Sequence, residues 1–200
     1  MSIFKQVVME AEAAEKTCFI FPGRFQPFHQ GHLAAVKKAI KECKGMKPVI
    51  VIIKGKETSK DGEKNPLDAE YQEKLIKKVF PSIKILVADK AFIPAIIGEV
   101  REKLGLETKA VVAGEDRINS YKKQIESANK SAAKSDEHPQ ITIEKWIEPE
   151  RITSATEVRD AIRTGDKSKF EKLVPQQLHS EWVKLREMLV PIEEAVFRSR

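Results

Sequence analysis

Apolar and polar positions alternate along this chain with two different periods. A short apolar run over 17–21 reads as a buried strand, and Leu33, Val36, Ala39 and Ile40 then recur at the spacing of one helix face over 31–43. Gly45 ends that helix. Residues 49–53 (VIVII) are continuously β-branched with no polar alternation, as in a parallel strand covered on both faces. The pattern then repeats. Asn65-Pro66 reads as a cap followed by proline in the first helical position, with Leu67, Tyr71, Leu75 and Val79 down one face. Further strands are predicted over 83–88, 109–113 and 141–147, with a helix over 92–104. Leu173, Leu178, Trp182, Leu185 and Leu189 predict one or two helices broken at Pro175.

This alternation predicts an α/β fold: a Rossmann-like open, mostly parallel five-stranded sheet with helices on both faces and a helical C-terminal extension. Ligands of such sheets bind beyond the carboxyl ends of the strands. The expected division is an N-terminal helical or detachable segment over 1–16, an α/β domain over 17–165 and the helical extension over 166–200. Two polar stretches fit less well: 55–64, a lysine-bearing loop expected to border the site, and 127–140, read as mobile.

Composition narrows the field without naming a function. With 41% hydrophobic and 33% charged residues the chain has the balance of a soluble globular protein. The net charge of +6 comes from lysines scattered among 30 acidic residues, which favours a solvated surface over a nucleic-acid interface. A mildly positive surface also steers small anions inward. Cys18 and Cys43 support neither a disulfide framework nor a metal cluster. The first residues contain no sustained apolar stretch, so no membrane partner and a cytoplasmic location are expected, in a host cell or virion if the chain is phage-encoded.

The candidate chemistry lies after the first strand, in PGRFQPFHQGH (22–32). No G-x-G-x-x-G follows that strand, so hydride chemistry on a dinucleotide fold has little support. Instead Gly23, Arg24, His29, Gly31 and His32 bring a turn residue, a fixed cation and two imidazoles to the start of a helix, where free backbone amides favour an anion. A phosphate suits all of these groups together. Metal binding is the rival reading of His-x-x-His, but no third ligand lies nearby. A second element, TSATEVR (153–159), contains a Ser154–Glu157 capping box, which needs no function by itself. It also sets the Ser154 and Thr156 hydroxyls beside a helix N-terminus with Arg159 a turn further on, a second phosphate site. Two anion sites suggest a polyphosphate. Gly114 and Asp116, at the end of the fourth strand, suit a nucleotide, and Trp146 on the fifth could stack on a base.

These residues carry a resemblance. GRFQPFHQGH resembles the G-x-F-x-P-x-H-x-G-H signature of the nucleotidyltransferase superfamily, and TSATEVR resembles its later I-S-S-T-x-I-R motif. The Arg24-Phe25-Gln26 form and Asn65-Pro66 are similar to nicotinamide mononucleotide adenylyltransferases of archaeal type, while cytidylyltransferases share the core motif. Thr153, Ala155, Leu67 and Asp68 depart from the pattern. The resemblance spans 17–165 and makes that stretch the nucleotidyltransferase domain.

The resemblance implies attack by a phosphorylated acceptor on the α-phosphorus of a nucleoside triphosphate carrying Mg²⁺, with no metal ligand from the protein. Adenylyl transfer from ATP to nicotinamide mononucleotide, giving NAD, leads, and cytidylyl transfer to another acceptor follows. His29, His32 and Arg24 would be catalytic. Gly23, Phe25, Gly31, Gly114, Asp116, Ser154, Thr156 and Arg159 would bind nucleotide, and Trp146 would meet the acceptor. A binding or assembly protein without turnover, and a nucleic-acid binder, are the competing classes; a homo-oligomer is compatible with each.

Overall fold

The computed structural model describes residues 16–54, 65–134 and 140–190. They fall into two compact units, each assembled from three stretches of chain. The first lies within Met1–Gly23, Ala35–Ile53 and Lys84–Pro149, the second within Arg24–Ala34, Lys54–Ile83 and Glu150–Arg200.

The first unit is the sheet. Strands β1 (Thr17–Gly23), β2 (Lys47–Ile53), β3 (Lys84–Ala88), β4 (Glu107–Val112) and β5 (Lys145–Ile147) lie in the order β3-β2-β1-β4-β5. Every neighbouring pair is parallel, so the expectation of a mostly parallel sheet is met and exceeded. The order reverses between β1 and β4. Their carboxyl ends, at Gly23 and Ala113-Gly114, are therefore the switch point where open α/β sheets take their ligands.

The continuous apolar runs explain the central position of β1 and β2, because alternate residues are buried on opposite faces. Cys18, Ile20, Val49, Val51 and Val111 pack with Ile93, Ile96, Ile97 and Val100 of α3 (Ile93–Leu104) and Ile118, Tyr121 and Ile125 of α4 (Glu115–Ala132). Phe19, Ile50, Ile52, Ala110 and Val112 have the other parity and are equally inaccessible, as are Val36 and Ala39 of α1 (Gln30–Glu42). Each buried valine or isoleucine among them stabilises the fold by roughly 2 kcal/mol. Both cysteines are buried, free thiols. Burial pushes the Cys18 thiol up to about 11, against the opposing effect of its contact with Thr108 Oγ1 at 3.6 Å.

The structure corrects two features of the sequence reading here. The fifth strand is limited to Lys145–Ile147, because the Asn129 side chain brackets Ile141, accepting its N–H at 2.8 Å and donating to its carbonyl at 2.9 Å. Residues 127–132 are not a loop but the last turns of α4, whose apolar face is reduced to Ile118, Tyr121 and Ile125. Residues 1–15, 55–64, 135–139 and 191–200 lie outside the described residues, and with them the expected N-terminal segment, the expected loop over 55–64 and the end of the expected extension.

In the second unit, α2 (Ala69–Val79) starts later than Asn65-Pro66 suggested. Asp68 is the cap, its Oδ1 accepting the Tyr71 N–H at 2.7 Å. The C-terminal part comprises α5 (Ala155–Thr164), α6 (Lys167–Leu173), a 3-10 turn (Gln176–Glu181) and α7 (Trp182–Leu189), with Pro175 at the break. Glu181 ties the turn to α2. It accepts from Tyr71 Oη at 2.6 Å and pairs with Lys78, whose charge and hydrogen bond hold the buried carboxyl below its ordinary range despite desolvation. Among the described residues no helix is long and apolar enough to cross a membrane.

Candidate functional site

The loop that leaves β1 is held in an unusual backbone state. Phe25 has φ of 46°, in the left-handed region that non-glycine residues avoid, yet its ring is buried. The Gln26-Pro27 peptide bond that follows is cis. Gln26 is buried and clasps the backbone of Leu67, donating Nε2–H to its carbonyl at 2.7 Å and accepting its N–H on Oε1 at 2.9 Å. The Arg159 guanidinium completes the anchoring by donating from Nη1 to the Gln26 carbonyl at 2.8 Å.

His29 and His32 close the N-terminus of α1 on themselves. The Gly31 N–H donates to His29 Nδ1 at 3.1 Å, and the His29 N–H donates to His32 Nδ1 at 3.3 Å. This is the reciprocal pattern of a capping box, built from two imidazoles. A backbone N–H can only donate, so both Nδ1 atoms must be acceptors and the ring proton of each neutral imidazole must sit on Nε2. The rings stack with centroids 3.6 Å apart, and His32 also meets Phe25 edge-on at 4.9 Å and Phe28 at 5.3 Å.

Burial lowers the His29 pKa to about 4, against the upward pull of the Glu157 charge. It holds His32 well below the ordinary value too, with His29 adding to the depression. Both rings are therefore uncharged N–H donors at neutral pH. Gly31 is closely enclosed by the same packing: a Cβ there would lie 3.0 Å from His29 Cε1 and 3.4 Å from the Thr153 carbonyl oxygen. That short approach also brings the two sequence motifs together.

At the N-terminus of α5, Ser154 is the cap. Its Oγ accepts the Glu157 N–H at 3.3 Å, while Glu157 Oε2 accepts the Ser154 N–H at 2.7 Å. The same carboxylate oxygen also takes the Ser154 hydroxyl at 2.9 Å and the Thr153 hydroxyl at 3.4 Å. The Ser154 hydrogen bonds, followed by Thr153 and the Lys169 charge, hold the exposed Glu157 carboxyl below its usual range. Arg159 is buried and donates from Nη2 to Thr156 Oγ1 at 3.2 Å. Arg24 is exposed.

Phe25, His29, Gly31, His32, Ser154, Thr156 and Arg159 thus belong to one unit, although His29 and Arg159 are far apart in sequence. Gly23, Gly114, Asp116 and Trp146 belong to the sheet unit. Gly114 caps α4 in an extended conformation with no side-chain cap bond and open space where a Cβ would go; Asp116 is exposed in the first turn. Trp146 is half-buried against the sheet core, with Lys122 Nζ 5.6 Å from its ring centroid, beside a cavity of about 230 Å³. Sequence reasoning left Gln26 without a role, and nothing local signals one because its partners lie at 67 and 159. It also took Glu157 only as a cap. Among the described residues no group of three His, Cys, Asp or Glu side chains could hold a metal ion.

Comparison with known proteins adds to this geometry. The family model described as cytidylyltransferase-like matches residues 20–161. No curated protein matches the chain by sequence. Among solved structures, the bifunctional NMN adenylyltransferase/ADP ribose pyrophosphatase from Francisella tularensis is similar with a TM-score of 0.57 at 19% identity, over 92% of this chain and 55% of that one. A structure of the same description complexed with AMP and a Mn ion gives 0.54 at 21%, over 92% and 54%. Thermotoga maritima TmcAL bound with alpha-thio ATP gives 0.54 at 13%, over 84% and 55%. At these identities the likeness establishes the fold, and the chain spans little more than half the length of each of these proteins.

Proposed function

The chain belongs to the cytidylyltransferase-like family, and from that premise we propose that it transfers a nucleoside monophosphate from a magnesium nucleoside triphosphate to a phosphorylated acceptor. The leading pair is ATP and nicotinamide mononucleotide, which would give NAD and pyrophosphate. The activity is assigned to residues 17–165, with 166–200 as an extension beyond it.

In this reading an oxygen of the acceptor phosphate attacks the α-phosphorus in line. The new P–O bond forms as the bond to the β-phosphate bridging oxygen breaks, and pyrophosphate leaves with that electron pair. The acceptor phosphate is already anionic near neutral pH, so the protein need supply neither nucleophile nor strong base. Its task is to position the reactants and to stabilise charge on the phosphate oxygens. His29 and His32 would do so with their Nε2–H groups, assisted by the Arg24 cation. Ser154, Thr156 and Arg159 would hold the β- and γ-phosphates. Gly23, Phe25, Gly114 and Asp116 are assigned to the nucleotide and Trp146 to the acceptor. The magnesium ion would arrive on the triphosphate as part of the substrate.

The observation that carries this reading is the pair of stacked, uncharged imidazoles whose Nδ1 atoms are held by backbone N–H groups, leaving Nε2–H as the donor of each. Pyrophosphate release, measured with ATP and CTP crossed against a panel of phosphorylated acceptors that includes nicotinamide mononucleotide, tests it. Release requiring ATP and nicotinamide mononucleotide together is the expected result. Release with CTP and another acceptor would establish the cytidylyl reading. Nucleotide binding with no release from any pair would leave a binding or assembly role.

A further inference from the structure

The N-terminus of α5 already holds an anion, and it belongs to the chain. Glu157 Oε2 accepts the Ser154 N–H, the Ser154 hydroxyl and the Thr153 hydroxyl. These are the donors that a phosphate would use. The Glu157 charge also acts on His29, opposite in sense to the burial of that ring. Its side chain is exposed and tethered by hydrogen bonds.

We propose that Glu157 is an internal competitor for polyphosphate: its carboxylate occupies the donors at the start of α5 and swings into solvent when a triphosphate takes them. The inference rests on the triphosphate reading of this site and adds a residue that sets affinity there. Displacement lets the incoming phosphate receive the Ser154 and Thr153 groups while the α5 dipole and the Arg159 cation remain to offset its charge. Return of the carboxylate would help expel the leaving pyrophosphate.

The competitor can be disarmed without undoing the cap. In Glu157→Gln the amide oxygen still accepts the Ser154 N–H, but the negative charge is gone. Binding of inorganic tripolyphosphate, followed by calorimetry at fixed ionic strength, is expected to tighten about tenfold in this variant, with a melting temperature close to that of the parent. Glu157→Ala, which removes half of the capping box, is expected to melt earlier and still bind more tightly. A gain of affinity is a readout that structural damage does not produce.

Equal affinity in parent and both variants would overturn the inference while leaving the triphosphate site intact. Weaker binding in Glu157→Gln would overturn it as well, making the carboxylate a support. Failure of parent and variants alike to bind tripolyphosphate would remove the site itself, and the inference with it.

Discussion

Two helix starts in the second unit are closed by the same device with opposite chemistry. At α1 the residues three apart are His29 and His32; at α5 they are Ser154 and Glu157. In both, the first side chain accepts a backbone N–H from inside the helix, and the second accepts the backbone N–H of the first. The imidazole box uses its Nδ1 acceptors inward, carries its ring protons on Nε2 and has no charge. The serine-glutamate box satisfies its donors with a carboxylate and carries a negative charge. One helix start is thus neutral, and the other supplies its own anion.

The sharpest way to break this contrast is His32→Ala. Loss of one donor to the reacting phosphates is expected to lower turnover at least about a hundredfold, or ~3 kcal/mol of transition-state stabilisation. Turnover like that of the parent, in a variant that circular dichroism reports as folded, would sever the imidazole box from the chemistry.

A second test uses pH. The His29 pKa is about 4 in the folded chain against an ordinary 6.5, so between these values the unfolded chain binds the proton and the folded chain does not. Stability is therefore complete above pH 6.5 and declines as pH falls toward 4, by about 3 kcal/mol for His29, with His32 adding a contribution of the same sign. Urea unfolding at pH 7 and pH 4.5 measures this decline. His29→Asn should flatten it, and an unchanged slope would mean that the ring is not held neutral by its surroundings.

Smaller effects sharpen the comparison further. Gly31→Ala places a methyl group 3.0 Å from the His29 ring, so the ring must give by a few tenths of an ångström. A loss of about tenfold in turnover is expected, with little change in melting temperature. Ser154→Ala removes the cap hydroxyl but leaves Glu157 accepting the backbone N–H, and is expected to cost ~1 kcal/mol in thermal unfolding. If it costs nothing, the second box is decorative.

The strands were legible because VIVII and its neighbours leave no polar face, and both motifs were legible because their spacing is local. The fifth strand was read too long since Ile141 and Ile143 are apolar for another reason: they pack on the core beside α4, and Asn129 takes Ile141 out of the ladder. Most of α4 escaped notice because three apolar residues at helical spacing are diluted by Glu, Lys, Ser and Asn. The tautomers of His29 and His32 had no signal in the sequence at all. They follow from backbone N–H directions, which exist only once the loop is folded. The role of Gln26 was hidden for a related reason, since no window of the chain contains Gln26, Leu67 and Arg159 together.

That last arrangement has a consequence during synthesis. The Gln26 carbonyl waits 133 residues for the guanidinium that satisfies it, so a ribosome that has delivered the whole parallel sheet has still not delivered the partner of the histidine loop. Nascent chains stopped after β5 should expose that loop to proteases, and its protection should appear only when α5 clears the exit tunnel.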